Sequence, residues 1–161
     1  MRRMRALVLV VVMSLSGWAC AAPEEAPMAD ATVEFFNSGQ ILPATLPFSE
    51  AVQVGNLLIL SGQIGNVPGK LELVPGGMEA EARQTMENIR TTLASRGLTM
   101  RDVIKCTVFL TDMAEWPAFN EVYRTFFEPP FPARSALGTN GLAIGARVEV
   151  ECIAAVSPRT Q

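Results

Sequence analysis

Residues 51–65 read AVQVGNLLILSGQIG, and this stretch decides the fold. Ala51 to Val54 and Leu57 to Ile64 are apolar runs separated by Gly55-Asn56, a dipeptide with the φ freedom that a tight turn requires, which predicts a β-hairpin. A Pro/Gly-rich loop (Val67 to Gly77) follows. From Glu79 to Ser95, Ala82, Met86, Ile89 and Leu93 recur at helical spacing, Glu79 is placed to pair with Arg83, and Gly97 supplies the stop. Asn88 falls on the polar side of this amphipathic helix and is expected to be solvated. Ile104 to Leu110 (IKCTVFL) is β-branched and aromatic, hence a strand. A second helix has Pro117 in its first turn and a bulky apolar face of Trp116, Phe119, Val122, Tyr123, Phe126 and Phe127. The corner Pro129-Pro130-Phe131-Pro132 ends it. Arg134 to Leu142 and Ala146 to Val156 read as two more strands around Gly138 to Gly145, the last alternating Val148, Val150 and Cys152 against Glu149, Glu151 and Ile153.

The order β-β-α-β-α-β-β gives an α+β layer, one mixed sheet with two helices on one face. The strands also carry Leu57, Ile59, Phe109 and Ile153, more apolar surface than two helices on one side can cover. Self-association that buries the open face is the expected solution.

Length and composition bound the chemistry. With 161 residues, 49% hydrophobic and 18% charged, the chain is long enough for one domain with a core and too apolar for a disordered one. It has no histidine. That excludes Ser-His-Asp and Cys-His pairs, a histidine general base and the common histidine-containing metal sites. Cys20, Cys106 and Cys152 are too few and too far apart for a four-cysteine cluster. Chemistry must therefore use carboxylates, arginine, hydroxyls and backbone groups.

Residues 1–21 read as an export signal: Arg2, Arg3 and Arg5 precede an apolar run from Ala6 to Ala19 that is too short to span a membrane. Residues 22–31 (APEEAPMADA) read as a linker, 32–158 as the folded domain and 159–161 as a tail. Cys20 closes a lipobox-like run, which makes it a candidate lipid anchor, and it also sits inside an Ala19-Cys20-Ala21 cleavage pattern. Both readings predict an exported protein, periplasmic or anchored to a bacterial membrane. Without its leader arginines the chain keeps 10 of its 13 basic residues against 16 acidic ones, about −6. That sign and the lack of a basic run argue against nucleic acid as a partner.

An ordered set of motifs then carries a resemblance. Ser61-Gly62-Gln63-Ile64-Gly65, Pro75-Gly76-Gly77 leading into Glu79 to Asn88, Val108 to Asp112, Phe119-Asn120, Tyr123, Phe126-Phe127, Pro132-Ala133-Arg134-Ser135 and Val148 to Glu151 occur in register. The chain resembles the reactive-intermediate deaminase (Rid) family over roughly Ala44 to Val156. The resemblance implies a chorismate-mutase-like fold and a homotrimer whose sheets line a central barrel, with clefts between subunits. It also implies hydrolysis of reactive 2-imino acids or their enamine tautomers, such as 2-aminoacrylate, to 2-keto acids and ammonia without a cofactor. Arg134 matches the arginine that holds the substrate carboxylate, and Glu149 the glutamate that positions water. Phe48, Ser61, Gly62 and Ala136 fall where the family binds substrate. Phe48 stands where a tyrosine is usual, which removes a hydroxyl, and Ala136 where many members have cysteine.

Plainer readings stand beside these. Arg134 can be a cation at a strand start, Ser61 a strand end and Gly62 a bulge, and Glu149 and Glu151 the polar face of a half-buried strand. Carboxylates facing an interface are costly unless partnered, however, which favours a role for at least one of them. Cys106 and Cys152 read as small core residues, and export would permit a disulfide between them. The rival function is a trimeric carboxylate-binding module or retired enzyme of the same fold, exported like the enzyme; a ribonuclease is a distant third.

Overall fold

The computed structural model describes residues 32–156. The proposed leader, Cys20, the linker at 22–31 and the tail lie outside the described residues. Seven strands and two α-helices follow one another as β1 (Val33–Phe36), β2 (Ala51–Val54), β3 (Leu57–Leu60), β4 (Gln63–Ile64), α1 (Gly77–Ser95), β5 (Val103–Leu110), α2 (Trp116–Tyr123), β6 (Ala133–Gly138) and β7 (Val148–Ala155). They form one mixed sheet in the order β1-β2-β3-β7-β5-β6, with β4 also paired to β7. Only β5 and β6 run parallel, because α2 carries the chain back across the sheet between them.

The hairpin forms as expected, Gly55 taking φ 56° in its turn and Val54 pairing with Leu57. Three features of the fold differ from the sequence reading. A further strand, β1, pairs with β2 ahead of the hairpin. The second hairpin strand breaks at Ser61-Gly62, so β3 and β4 pair with different stretches of β7. The strand starting near Arg134 ends at Gly138, where the Thr139 amide turns to donate to the Leu110 carbonyl at 2.8 Å.

β7 is the centre. Val148, Val150, Cys152 and Ala154 alternate inward and are buried beneath α1, whose Ala82, Met86, Ile89 and Leu93 are fully shielded. The expected small core cysteines are indeed buried, and they are joined: Cys106 on β5 faces Cys152 on β7 across the ladder, and the two form a disulfide. Among the described residues no helix lies on the opposite face, and Ile59 and Leu57 remain 43% and 36% exposed in a single chain.

Asn88 is the clear correction on α1. It is fully buried, not solvated, and its amide nitrogen donates to the Ile64 carbonyl at 3.0 Å, the Asn66 carbonyl at 3.2 Å and Asn66 Oδ1 at 3.1 Å. The β4 segment runs so close over the polar side of the helix that a Cβ on Gly65 would lie 2.6 Å from the Glu81 Cα. The covering segment is itself backbone, whose carbonyls need donors. Asn66 completes the layer, donating to the Ile41, Val67 and Lys70 carbonyls. Glu50, also buried, accepts from Thr92 at 2.6 Å and from the Ser38 hydroxyl at 2.7 Å, tying the β1–β2 loop to the same helix.

Replacing Asn88 by leucine leaves two buried carbonyls without donors. At about 1 to 3 kcal/mol for each orphaned group, Asn88→Leu should lower unfolding free energy by about 2 to 6 kcal/mol, read from the midpoint of urea denaturation at unchanged slope.

Candidate active site

Glu149 lies on the open face of β7, paired with Phe109 of β5 and with Ile64 of β4. The break at Ser61-Gly62 brings backbone against it: a Cβ on Gly62 would collide with the Glu149 carboxylate and push it out of this position. Burial raises the Glu149 pKa, and the negative charge of Glu151, two residues on along the same face, raises it further. Ser61 is more than a strand end. Its hydroxyl donates to the Ser49 carbonyl at 2.6 Å and its amide to the Glu50 carbonyl at 3.0 Å, which fixes the loop carrying Phe48 beside Gly62. Phe48 itself is half exposed.

Arg134 sits elsewhere. It pairs in register with Cys106, and Ala136 with Val108, so both point to the helix side of the sheet, the face opposite Glu149. Its guanidinium carbon lies 4.8 Å from the ring centre of Trp116 and 4.6 Å from that of Tyr123, both on α2. Among the described residues no carboxylate pairs with it and no acceptor takes its N–H groups. Arg147, by contrast, reaches Glu115 at 2.8 Å, and Arg96 reaches Glu34 at 3.1 Å.

The six candidate residues thus fall into two groups within one chain. Ser61, Gly62, Glu149 and the Phe48 loop form one, on or beside the open face, and Arg134 with Ala136 forms the other. The sequence reading placed Trp116 and Tyr123 on the apolar face of a helix and gave them no further part. The available signal was their spacing of seven residues, two helical turns, which sets both rings on one side of α2 where a single arginine can meet them. Among the described residues no cluster of three or more cysteine or acidic side chains could hold a metal ion.

Residues 39–156 match the family described as Endoribonuclease L-PSP. The mouse protein named 2-iminobutanoate/2-iminopropanoate deaminase is 42% identical over 117 residues, covering 72% of this chain and 87% of the mouse protein. The crystal structure of RidA from an Antarctic Psychrobacter superposes with a TM-score of 0.72 at 35% identity, covering 76% of this chain and 99% of that one. TdcF from E. coli, solved with bound serine, gives a TM-score of 0.70 at 31% identity, covering 77% of this chain and 99% of TdcF.

These relatives correct the expected location. They give no sign of export, and the residues on which that expectation rested, 1–21 with Cys20, precede the family match and lie outside the described residues. An arginine-flanked apolar run of some 14 residues is a weak address when nothing else supports it, and the periplasmic or lipid-anchored assignment is withdrawn. The extent of the family match, the identity over most of the domain and the superposition on solved relatives leave one conclusion: this chain belongs to the Endoribonuclease L-PSP family, the Rid family that its motifs resemble.

Proposed function

We propose that this protein is an imine deaminase that hydrolyses 2-imino acids and their enamine tautomers to 2-keto acids and ammonia, in clefts between the subunits of a homotrimer and without a cofactor. The observation that carries this reading is the unpaired Arg134 guanidinium, held half-buried on two aromatic faces where a small carboxylate can take both of its parallel N–H groups. The name of the mouse relative, a 2-iminobutanoate/2-iminopropanoate deaminase, agrees with that chemistry.

An imine carbon next to a carboxylate is already electrophilic, so the protein's task is to orient it and to activate water. Glu149, in its ionised form, takes a proton from water as the oxygen adds to the imine carbon. Glu149 returns that proton to the nitrogen, and the resulting carbinolamine collapses to the ketone as its hydroxyl proton passes to the nitrogen, which leaves as ammonia. A raised pKa makes Glu149 a better base than an ordinary carboxylate at neutral pH. Because Arg134 and Glu149 occupy opposite faces of one sheet, a substrate that touches both needs a second copy of the chain, and the apolar open face gives that copy a surface to cover. A ribonuclease reading has weak support, since the 16 acidic residues exceed the 13 basic ones and no basic run attracts a phosphate backbone.

Hydrolysis of freshly generated 2-iminopropionate tests the reading. Arg134→Ala should lower kcat/KM by roughly tenfold to a hundredfold through loss of a charge-assisted contact, and Arg134→Lys should recover little. Glu149→Gln should lower kcat by roughly 10²- to 10⁴-fold with less effect on KM. Wild-type rates in both variants would overturn the assignment in favour of a binding module.

The pH profile gives a separate check. Glu149 must be ionised, so kcat/KM should fall as pH drops through its pKa, which burial and the Glu151 charge raise from its ordinary value. Glu151→Gln removes the repelling charge and should move this acid limb to lower pH while leaving the plateau rate nearly unchanged.

Light scattering at micromolar concentration should give the mass of three chains. A stable, active monomer would remove the intersubunit cleft.

A further inference from the structure

Trp116 and Tyr123 take no part in the steps above, yet they are the residues against which Arg134 rests. They stand two turns apart on α2, and Tyr123 is braced by Phe119 and Phe127, with ring centres at 5.6 and 4.8 Å. The Tyr123 hydroxyl is buried without a hydrogen-bond partner among the described residues. Burial pushes its pKa up to about 12, against the opposing pull of Arg134. The phenol therefore stays neutral across the working pH range and offers the guanidinium a ring face rather than a counter-charge.

The choice of seat has a chemical consequence. A carboxylate seat would cancel the arginine's charge and occupy its N–H donors, as Glu115 does for Arg147. Aromatic faces attract the cation through the ring quadrupole and occupy none of the five N–H groups. We propose that Trp116 and Tyr123 act as an aromatic clamp, positioning residues that hold Arg134 in place with its donor fork unoccupied and so select ligands bearing a carboxylate. A cavity of about 470 Å³, bordered by Tyr123, Asn120, Phe131 and Arg134, gives a small acid access to the fork. The clamp rests on the reading of Arg134 as the carboxylate receptor.

The test uses calorimetric binding of pyruvate, the product acid, and of pyruvamide, its uncharged amide, to the full chain. Trp116 lies half-buried at the edge of the core, so it can be changed with less risk to folding than Tyr123. Trp116→Leu should weaken pyruvate binding by about threefold to thirtyfold and leave pyruvamide unchanged, since only a charged ligand needs the fork held in place. Trp116→Phe and Tyr123→Phe, which keep a ring at each position, should retain most of the pyruvate affinity. Trp116→Leu with wild-type pyruvate affinity, or with equal losses for both ligands, overturns the clamp. Arg134→Ala separates the two claims. If it abolishes pyruvate binding while Trp116→Leu does not weaken it, the clamp alone fails; if Arg134→Ala binds pyruvate normally, the carboxylate-receptor reading fails with it.

Discussion

The two-residue alternation of β7 is the constraint on which the rest of this molecule depends. Three other strands pair with it, and each of its side chains must point either to the helix layer or to the uncovered face. Val148, Val150, Cys152 and Ala154 fill the core, which leaves Glu149 and Glu151 on the other face, opposite Phe109 and Thr107 of β5. A register slip of one residue would drive both carboxylates under α1 and expose the core row, so the pairing that builds the fold also fixes the face on which the proposed base stands. The proposed chemistry uses the outcome directly: a carboxylate partly withdrawn from water, beside a like charge, is a stronger base than one on an open surface.

Much of this was legible in the residues, for identifiable reasons. The hairpin rests on Gly55-Asn56, α1 on spacings of three and four, and β7 on strict alternation, all local signals that tertiary context did not override. Asn88 was misread because periodicity sees only the side of a helix that faces apolar residues. It cannot see that the β4 segment folds back over the polar side and brings unpaired carbonyls with it. Arg134 and Glu149 came from the resemblance rather than from pattern, and their placement on opposite faces appears only once β5 is paired with β6 and β7 together. The contact of Gly62 with Glu149 joins residues far apart in sequence and has no local signature.

The cysteines show the same division. Their strands and their burial were readable, but their pairing depended on the register that sets Cys106 directly across from Cys152. That register extends one strand further, to Arg134, so a single row crossing the sheet contains the disulfide and the proposed carboxylate receptor. Closing a loop of sequence separation 46 constrains the unfolded chain by roughly 4 kcal/mol in the chain-entropy account. The strand that carries Arg134 is thus paired directly to a covalently joined part of the sheet, while the Trp116 and Tyr123 rings on α2 lie against the far end of its side chain.

Opposite faces also solve an electrostatic difficulty. An arginine and a glutamate within reach of each other in one chain would pair, and the pair would lower the glutamate's basicity while occupying the donors meant for substrate. Here the sheet itself separates them, so Arg134 rests on neutral rings and Glu149 beside a like charge, and each keeps the property the proposed reaction needs. In the proposed trimer the two groups meet only across a subunit boundary, with the substrate's carboxylate facing one and its imine carbon facing the other. Assembly then creates the active site without first neutralising it, because the arginine reaches the cleft still seated on its own subunit's aromatic rings.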